Sequence, residues 1–174
     1  GLHASALAVS HDEKFVICAN AGSDNLSVID IGKRQIVDTI WVKANPSELL
    51  GAAPNALAMG ALGEKLYVAN GSQNAVAVVD LDLDDRGESK VVGLIPVGWF
   101  PGAIALDAKR DRIHVANIKG LPQSPKKKGD TVGFNTHHYH GTVSIVPIPT
   151  ETELVKMSAQ AANNMAEPMI RSAL

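Results

Sequence analysis

Aromatic residues are scarce in this chain, at 4% of 174 residues. That argues against large stacking surfaces for nucleic-acid bases, and the surplus of Val, Ile, Leu and Ala suits tightly spaced sheets better than an aromatic-rich pocket. Cysteine is nearly absent too. Cys18 stands alone, so neither an intrachain disulfide nor a thiolate metal cluster can form, and the residue says nothing of compartment. No strong field of either sign exists, because the formal net charge is -2. The only dense basic run, Lys126-Lys127-Lys128, sits between Pro125 and Gly129, which reads as a solvated loop and not as a nucleic-acid surface. No apolar run approaches the roughly 20 residues a bilayer span needs, so membrane insertion is not expected. The chain opens Gly-Leu-His without Met or a signal sequence, as a processed form or internal fragment does. What is plentiful is apolar content, 45% hydrophobic against 20% charged, the balance of a folded chain.

Self-similarity organises that apolar content. Ala4–Val9, Phe15–Asn20, Leu26–Asp30 and Ile36–Val42 recur as Pro54–Met59, Lys65–Asn70, Val76–Asp80 and Val91–Val97, and again as Pro101–Leu106, Arg112–Asn117 and Val143–Pro147. Asn20, Asn70 and Asn117 mark the register, 50 and 47 residues apart. Short β-rich runs alternate with turn clusters such as Gly22-Ser23-Asp24-Asn25 and Gly71-Ser72-Gln73-Asn74, so each unit reads as a four-stranded antiparallel meander. The central strands are near-continuously apolar, which predicts burial on both faces. The first strands are Ala-rich, as crowding near a central axis requires. The expected fold is all-β: a β-propeller portion of about three four-stranded blades followed by a short C-terminal helix. Blades fall at about 1–47, 48–98 and 99–149 within a partial propeller spanning 1–149, with helix and linker over 150–174. Closure takes 4 to 8 blades, so two open flanks must be met by other blades or by self-association.

Tyr67-Val68-Ala69-Asn70, with Asp80 closing a Val-rich strand, resembles the YVTN repeat of bacterial and archaeal surface-associated, lactonase-like β-propellers. That resemblance implies a seven-bladed ring. Ile17-Cys18-Ala19-Asn20, His114-Val115-Ala116-Asn117 and Pro147 depart from the motif without disturbing the period.

The third unit carries about 20 residues more than its siblings, an insertion over 118–139. Insertions in repeat proteins map to loops, often on the binding face. Here that face also receives the inter-blade link Gly98-Trp99-Phe100-Pro101, so Trp99, Phe100, Asn135, His137, His138 and His140 are the binding-face candidates. His138 and His140 share one side of an extended chain and are weak metal candidates. The alternatives are histidines that hydrogen-bond locally, pack under a partner domain or touch a ligand. Trp99 on an exposed link can present its indole to a ligand or partner.

His114, at the place of Ile17 and Tyr67, is expected as a hydrogen-bonded core or strand residue, and Trp41 as outer-strand packing. Asp24, Asp30 and Asp80 read as turn and strand-end residues bonding nearby backbone. Recurrence of Asn20, Asn70 and Asn117 in every blade fits turn chemistry better than metal ligation. No Gly-x-Ser-x-Gly elbow, P-loop, His-Glu-x-x-His helix or dinucleotide fingerprint occurs, so no catalytic residue is assigned. Thr150 and Glu153 have capping-box spacing ahead of a helix carrying Leu154, Val155, Ser158 and Ala162, with Asn163-Asn164 and Pro168 expected in a linker.

Residues 116–120, 133–149 and 162–164 together resemble bacterial proteins in which such a propeller precedes an alkaline-phosphatase-like phosphoesterase domain. The resemblance implies a noncatalytic propeller scaffold beside a metal-dependent hydrolase, with that domain as partner, no cofactor in these residues, a divalent metal in the parent protein, and a periplasmic, secreted or cell-surface location. Two other readings stand: a lactonase-like metal-dependent hydrolase, and a surface-layer or adhesion module binding protein or glycan.

Overall fold

A computed structural model describes residues 1–43, 51–84, 88–120 and 140–165. Alternating apolar runs and turn residues fold into three antiparallel meanders. The first sheet holds β1 (Ala4–Val9), β2 (Phe15–Asn20), β3 (Asn25–Asp30) and β4 (Gln35–Trp41); the second holds β5 (Pro54–Met59), β6 (Lys65–Asn70), β7 (Ala75–Asp80) and β8 (Lys90–Pro96). The third holds β9 (Pro101–Asp107), β10 (Arg112–Asn117) and β11 (Thr142–Pro147). Strands lie in sequence order in every sheet. The third thus shows three strands among the described residues where the repeat leads one to expect four.

Hairpins close on residues held at positive φ, among them Glu13, Asp24, Arg34, Asn74 and Asp111, mostly the polar types that tolerate this region. In the first turn the Ser10 hydroxyl donates to Asp12 Oδ1 at 2.6 Å and accepts from the Phe15 N–H at 3.0 Å. The Ser10 hydroxyl and then the Lys14 N–H hold the Asp12 carboxyl down at about 2.

Sheet two is the middle layer, which explains its unbroken apolar strands. Leu66, Val68 and Leu94 pack toward Ile17, Leu26, Val28 and Ile40 of sheet one. Tyr67, Val76, Val78 and Ile95 pack the other way, toward Ile113 and Val115 of sheet three. Alternate residues on one strand therefore serve two cores. Near the axis the inner strands are also tied by polar bonds: the Ser5 hydroxyl donates to Pro54 O at 2.6 Å and the Asn55 amide to Pro101 O at 3.1 Å. His11 Nε2 lies 2.9 Å from Gly60 O, so the turn histidine bonds across sheets.

The outer faces of sheets one and three lack this cover. Val143 and Ile145 occupy the places of Leu26 and Val28 yet are 65% and 56% exposed, against 0% and 1% for their counterparts. On the opposite flank Leu7, Val9 and Ile36 are exposed. Trp41, expected to pack, is 53% exposed on the same flank, because nothing among the described residues lies beyond that face. His114 follows the same rule: it is in the strand as expected but not in a core, with its side chain 38% exposed and Nε2 3.8 Å from Asp107.

The helix α1 (Glu151–Asn164) begins with a complete capping box. The Glu153 N–H reaches Thr150 Oγ1 at 3.4 Å, and the Thr150 N–H donates to Glu153 Oε2 at 2.8 Å. Asn163 and Asn164 belong to this helix and not to a linker. Its route is informative. Leu154 sits directly on Gly93 of β8, where an added Cβ would come within 2.8 Å of the Leu154 methyl carbons, and it joins the core between sheets two and three. Ala161, two turns on, joins the core between sheets one and two. Between them Ser158 Oγ accepts the Leu94 N–H at 2.8 Å. α1 therefore crosses the outer edge of β8 and satisfies a backbone donor that an edge strand leaves open.

Candidate binding face

Each sheet is led into by a short link whose last residue is left-handed: His3 at φ 55°, Ala53 at 48° and Phe100 at 59°. The link then pairs with the chain leaving the second strand of its own sheet. Gly71 and Ser72 donate to Ala53 O and Ala52 O at 2.9 and 3.1 Å; Ile118 and Lys119 donate to Phe100 O and Trp99 O at 2.9 and 3.1 Å. In sheet three that pairing fastens the first residues of the insertion to the Trp99-Phe100 link.

One consequence was not visible in the sequence. Lys119 Nζ stands 5.1 Å from the Trp99 ring centroid and 5.6 Å from that of Phe100, within the range of a cation–π contact with each. Trp99 remains 42% exposed. Phe100 is half-buried, and a Cβ on Gly71 would strike the Asn55 amide nitrogen and meet the Phe100 ring edge at 3.2 Å, so the bare glycine admits the amide first and the ring beside it.

The link is held from the preceding sheet as well. Asn74 Oδ1 accepts the Phe100 N–H at 2.9 Å, and one blade earlier Asp24 Oδ1 accepts the N–H groups of Ala52 and Ala53 at 2.7 and 2.9 Å. Asp24 thus bonds backbone as expected, but backbone of the following blade. The signal existed, since Asp24 and Asn74 hold the same place in the repeat. Lys119 had none beyond standing two places after Asn117. Asp30 behaves locally, accepting the Lys33 N–H at 2.8 Å, whereas Asp80 pairs across strands with Lys65 Nζ at 3.0 Å.

The insertion leaves and returns through adjacent glycines. A Cβ on Gly120 would meet Thr142 Cγ2 at 2.7 Å, and one on Gly141 would meet Asn117 O at 3.0 Å. His140 is exposed at the returning end. Asn135, His137 and His138 lie outside the described residues, and among the described residues no three His, Cys, Asp or Glu side chains are grouped to hold a metal.

The recurrent asparagines are buried and engaged within the fold. Asn20 donates to Asn25 Oδ1 and Ser27 Oγ, both at 2.9 Å; Asn70 to Val42 O and Gln73 Oε1, both at 2.9 Å; and Asn117 to Thr142 and Ser144 hydroxyls at 3.1 and 2.9 Å. These bonds tie the Nδ2 groups to strand ends and turns and, through Val42, to the end of the preceding blade, while among the described residues Oδ1 of Asn70 and of Asn117 is buried without a hydrogen-bond partner.

Three stacked meanders arranged in sequence order are a β-propeller segment, and solved structures share this fold. The chain is similar to hydrazine synthase of Kuenenia stuttgartiensis (TM-score 0.55, 21% identity, 66% of this chain and 29% of that one). It is also similar to a protein of Lactobacillus plantarum (TM-score 0.56, 22% identity, 64% and 33%) and to a "putative 6-phosphogluconolactonase" of Bacteroides fragilis (TM-score 0.54, 18% identity, 64% and 31%). The chain spans about a third of the length of these structures. No family model and no curated protein matched it.

Proposed function

We propose that this chain is a noncatalytic β-propeller scaffold whose insertion-bearing face docks a companion domain, of the phosphoesterase kind that its sequence resemblance implies. The observation that carries the reading is the Trp99–Lys119–Phe100 stack, an exposed indole fixed at the root of the longest insertion. Buried aromatics at the centre of an interface dominate its binding energy, and this one is positioned by backbone pairing and by Asn74. Further propeller blades are the proposed occupants of the two open flanks. The test is twofold. The purified chain, supplied with zinc or calcium, gives no phosphate-ester turnover, and Trp99→Ala weakens its binding to a separately expressed alkaline-phosphatase-like domain at least tenfold, about 1.4 kcal/mol. Clear turnover, or binding unchanged by the substitution, overturns the proposal.

A second reading, a lactonase-like metal-dependent hydrolase, draws support from the similarity to a structure named for 6-phosphogluconolactonase. It requires oxygen ligands converging from several blades; the Nδ2 groups of Asn20, Asn70 and Asn117 are engaged within the fold, whereas among the described residues Oδ1 of Asn70 and of Asn117 is buried without a hydrogen-bond partner and is the group such an ion would use. Metal-dependent hydrolysis of 6-phosphogluconolactone by the chain would establish it.

A further inference from the structure

In sheets one and two the third strand is flanked outward by a fourth: β4 lies on β3 and β8 on β7. The third strand of sheet three is β11, and among the described residues no strand lies on its outer edge. Which groups that edge presents follows from the ladder. Ile148 donates its N–H to Asp111 O at 2.9 Å, as Ile31 and Leu81 do to Lys14 and Glu64 at the same point of the other sheets. Alternation along an antiparallel pair then turns the N–H and C=O of Thr142, Ser144 and Val146 toward β10, and those of Val143 and Ile145 outward. Among the described residues none folds back to meet them: Pro147 and Pro149 lead into the Thr150 cap, and α1 departs to β8. Past the end of β11 lies a groove of about 340 Å³ whose walls include Tyr67, Val78, Val92, Leu154 and Val155, with the Lys65–Asp80 pair beside them.

We propose that the outer edge of β11 is a β-addition site for an extended segment of a partner polypeptide. The segment runs antiparallel to β11 and is apolar at alternate positions. Its chemistry is set by the sibling blades, whose fourth strands fill the same place by main-chain bonds and by side chains such as Ile40, 2% exposed, and Ile95, fully buried. Main-chain bonds supply affinity in such additions and pockets for alternate side chains supply selectivity. A second copy of the chain is a poor donor: β4 and β8 already complete their own sheets, and lending either would expose those residues.

A labelled peptide with the sequence of residues 34–42 is the probe. In β4, Val42 donates its N–H to Asp24 O at 3.1 Å, so by the same alternation the Ile40 and Asp38 N–H groups face β3. Fluorescence anisotropy against the whole chain should show saturable binding. Peptide N-methylated at the positions of Ile40 and Asp38 should bind at least tenfold more weakly, and peptide methylated at those of Thr39 and Trp41 within twofold of the parent. Ile145→Pro, which removes one outward N–H at an edge position where proline is tolerated, should weaken binding tenfold with the circular dichroism unchanged. Equal binding of the two methylated peptides, no binding at all, or self-association of the chain that the peptide does not compete overturns the assignment. The methylation arm needs only the unsubstituted chain, so it decides even if Ile145→Pro does not fold.

Discussion

Replacing Leu154 by alanine removes the large side chain through which the first half of α1 holds to β8. Leu154 is 8% exposed and rests on Gly93, with Tyr67, Ile95 and Ile113 in the same cluster. Leucine-to-alanine changes in well-packed cores cost roughly 2–5 kcal/mol, depending on how far the site can collapse. Here a groove opens beside the residue, so relaxation is easy and the expected cost is about 2–3 kcal/mol. For a chain of this size each kcal/mol shifts the thermal midpoint by about 2–4 °C, which puts the expected drop at about 4–12 °C. The neighbouring Val155, 69% exposed, is the control, and its replacement by alanine should stay within about 0.5 kcal/mol. Urea titrations followed by far-ultraviolet circular dichroism measure both. Hydrogen exchange of the Leu94 amide adds a local reading, because that N–H is held by Ser158 and exchanges faster when the helix lifts away. Equal midpoints for the two variants, with Leu94 exchange unaltered, would refute the claim that Leu154 secures the crossing.

Asp24→Ala should cost about 1.5–3 kcal/mol, since it strips a charged acceptor from two backbone donors at the start of the second blade; denaturant unfolding checks it, and a loss below about 0.5 kcal/mol would contradict the inter-blade role. Asp12, held at about 2 by Ser10 and Lys14, stabilises the first hairpin fully above the ordinary carboxylate range, and that contribution is lost as pH falls through about 2. Ser10→Ala should bring its titration back up toward the ordinary value in an NMR pH series; an unmoved midpoint would assign the depression to something else.

The layered fold was legible because the repeat writes the same instruction three times: Asn20, Asn70 and Asn117 set the register, and a strand apolar on both faces announces a middle layer. The helix start was equally plain in Thr150 and Glu153, whose spacing is a local matter of one turn. What escaped the sequence lies between residues far apart. Nothing about Ser158 marks it as the partner of Leu94, 64 positions away, and nothing about Lys119 announces two rings, because the link and the strand exit meet only after the sheet has formed. Among the described residues Trp41 packs against no outer layer, and His114 keeps its strand but gains no core, for one shared reason: periodicity tells which face a side chain takes, not whether another layer covers that face.

Asp24 and Asn74 reach forward, each gripping the backbone that opens the next meander. As the chain emerges from the ribosome, a blade can thus complete its own ladder yet leave one turn carboxylate or amide unsatisfied until the following link has arrived. Assembly acquires a direction, with the first and second blades each serving as the template on which its successor starts.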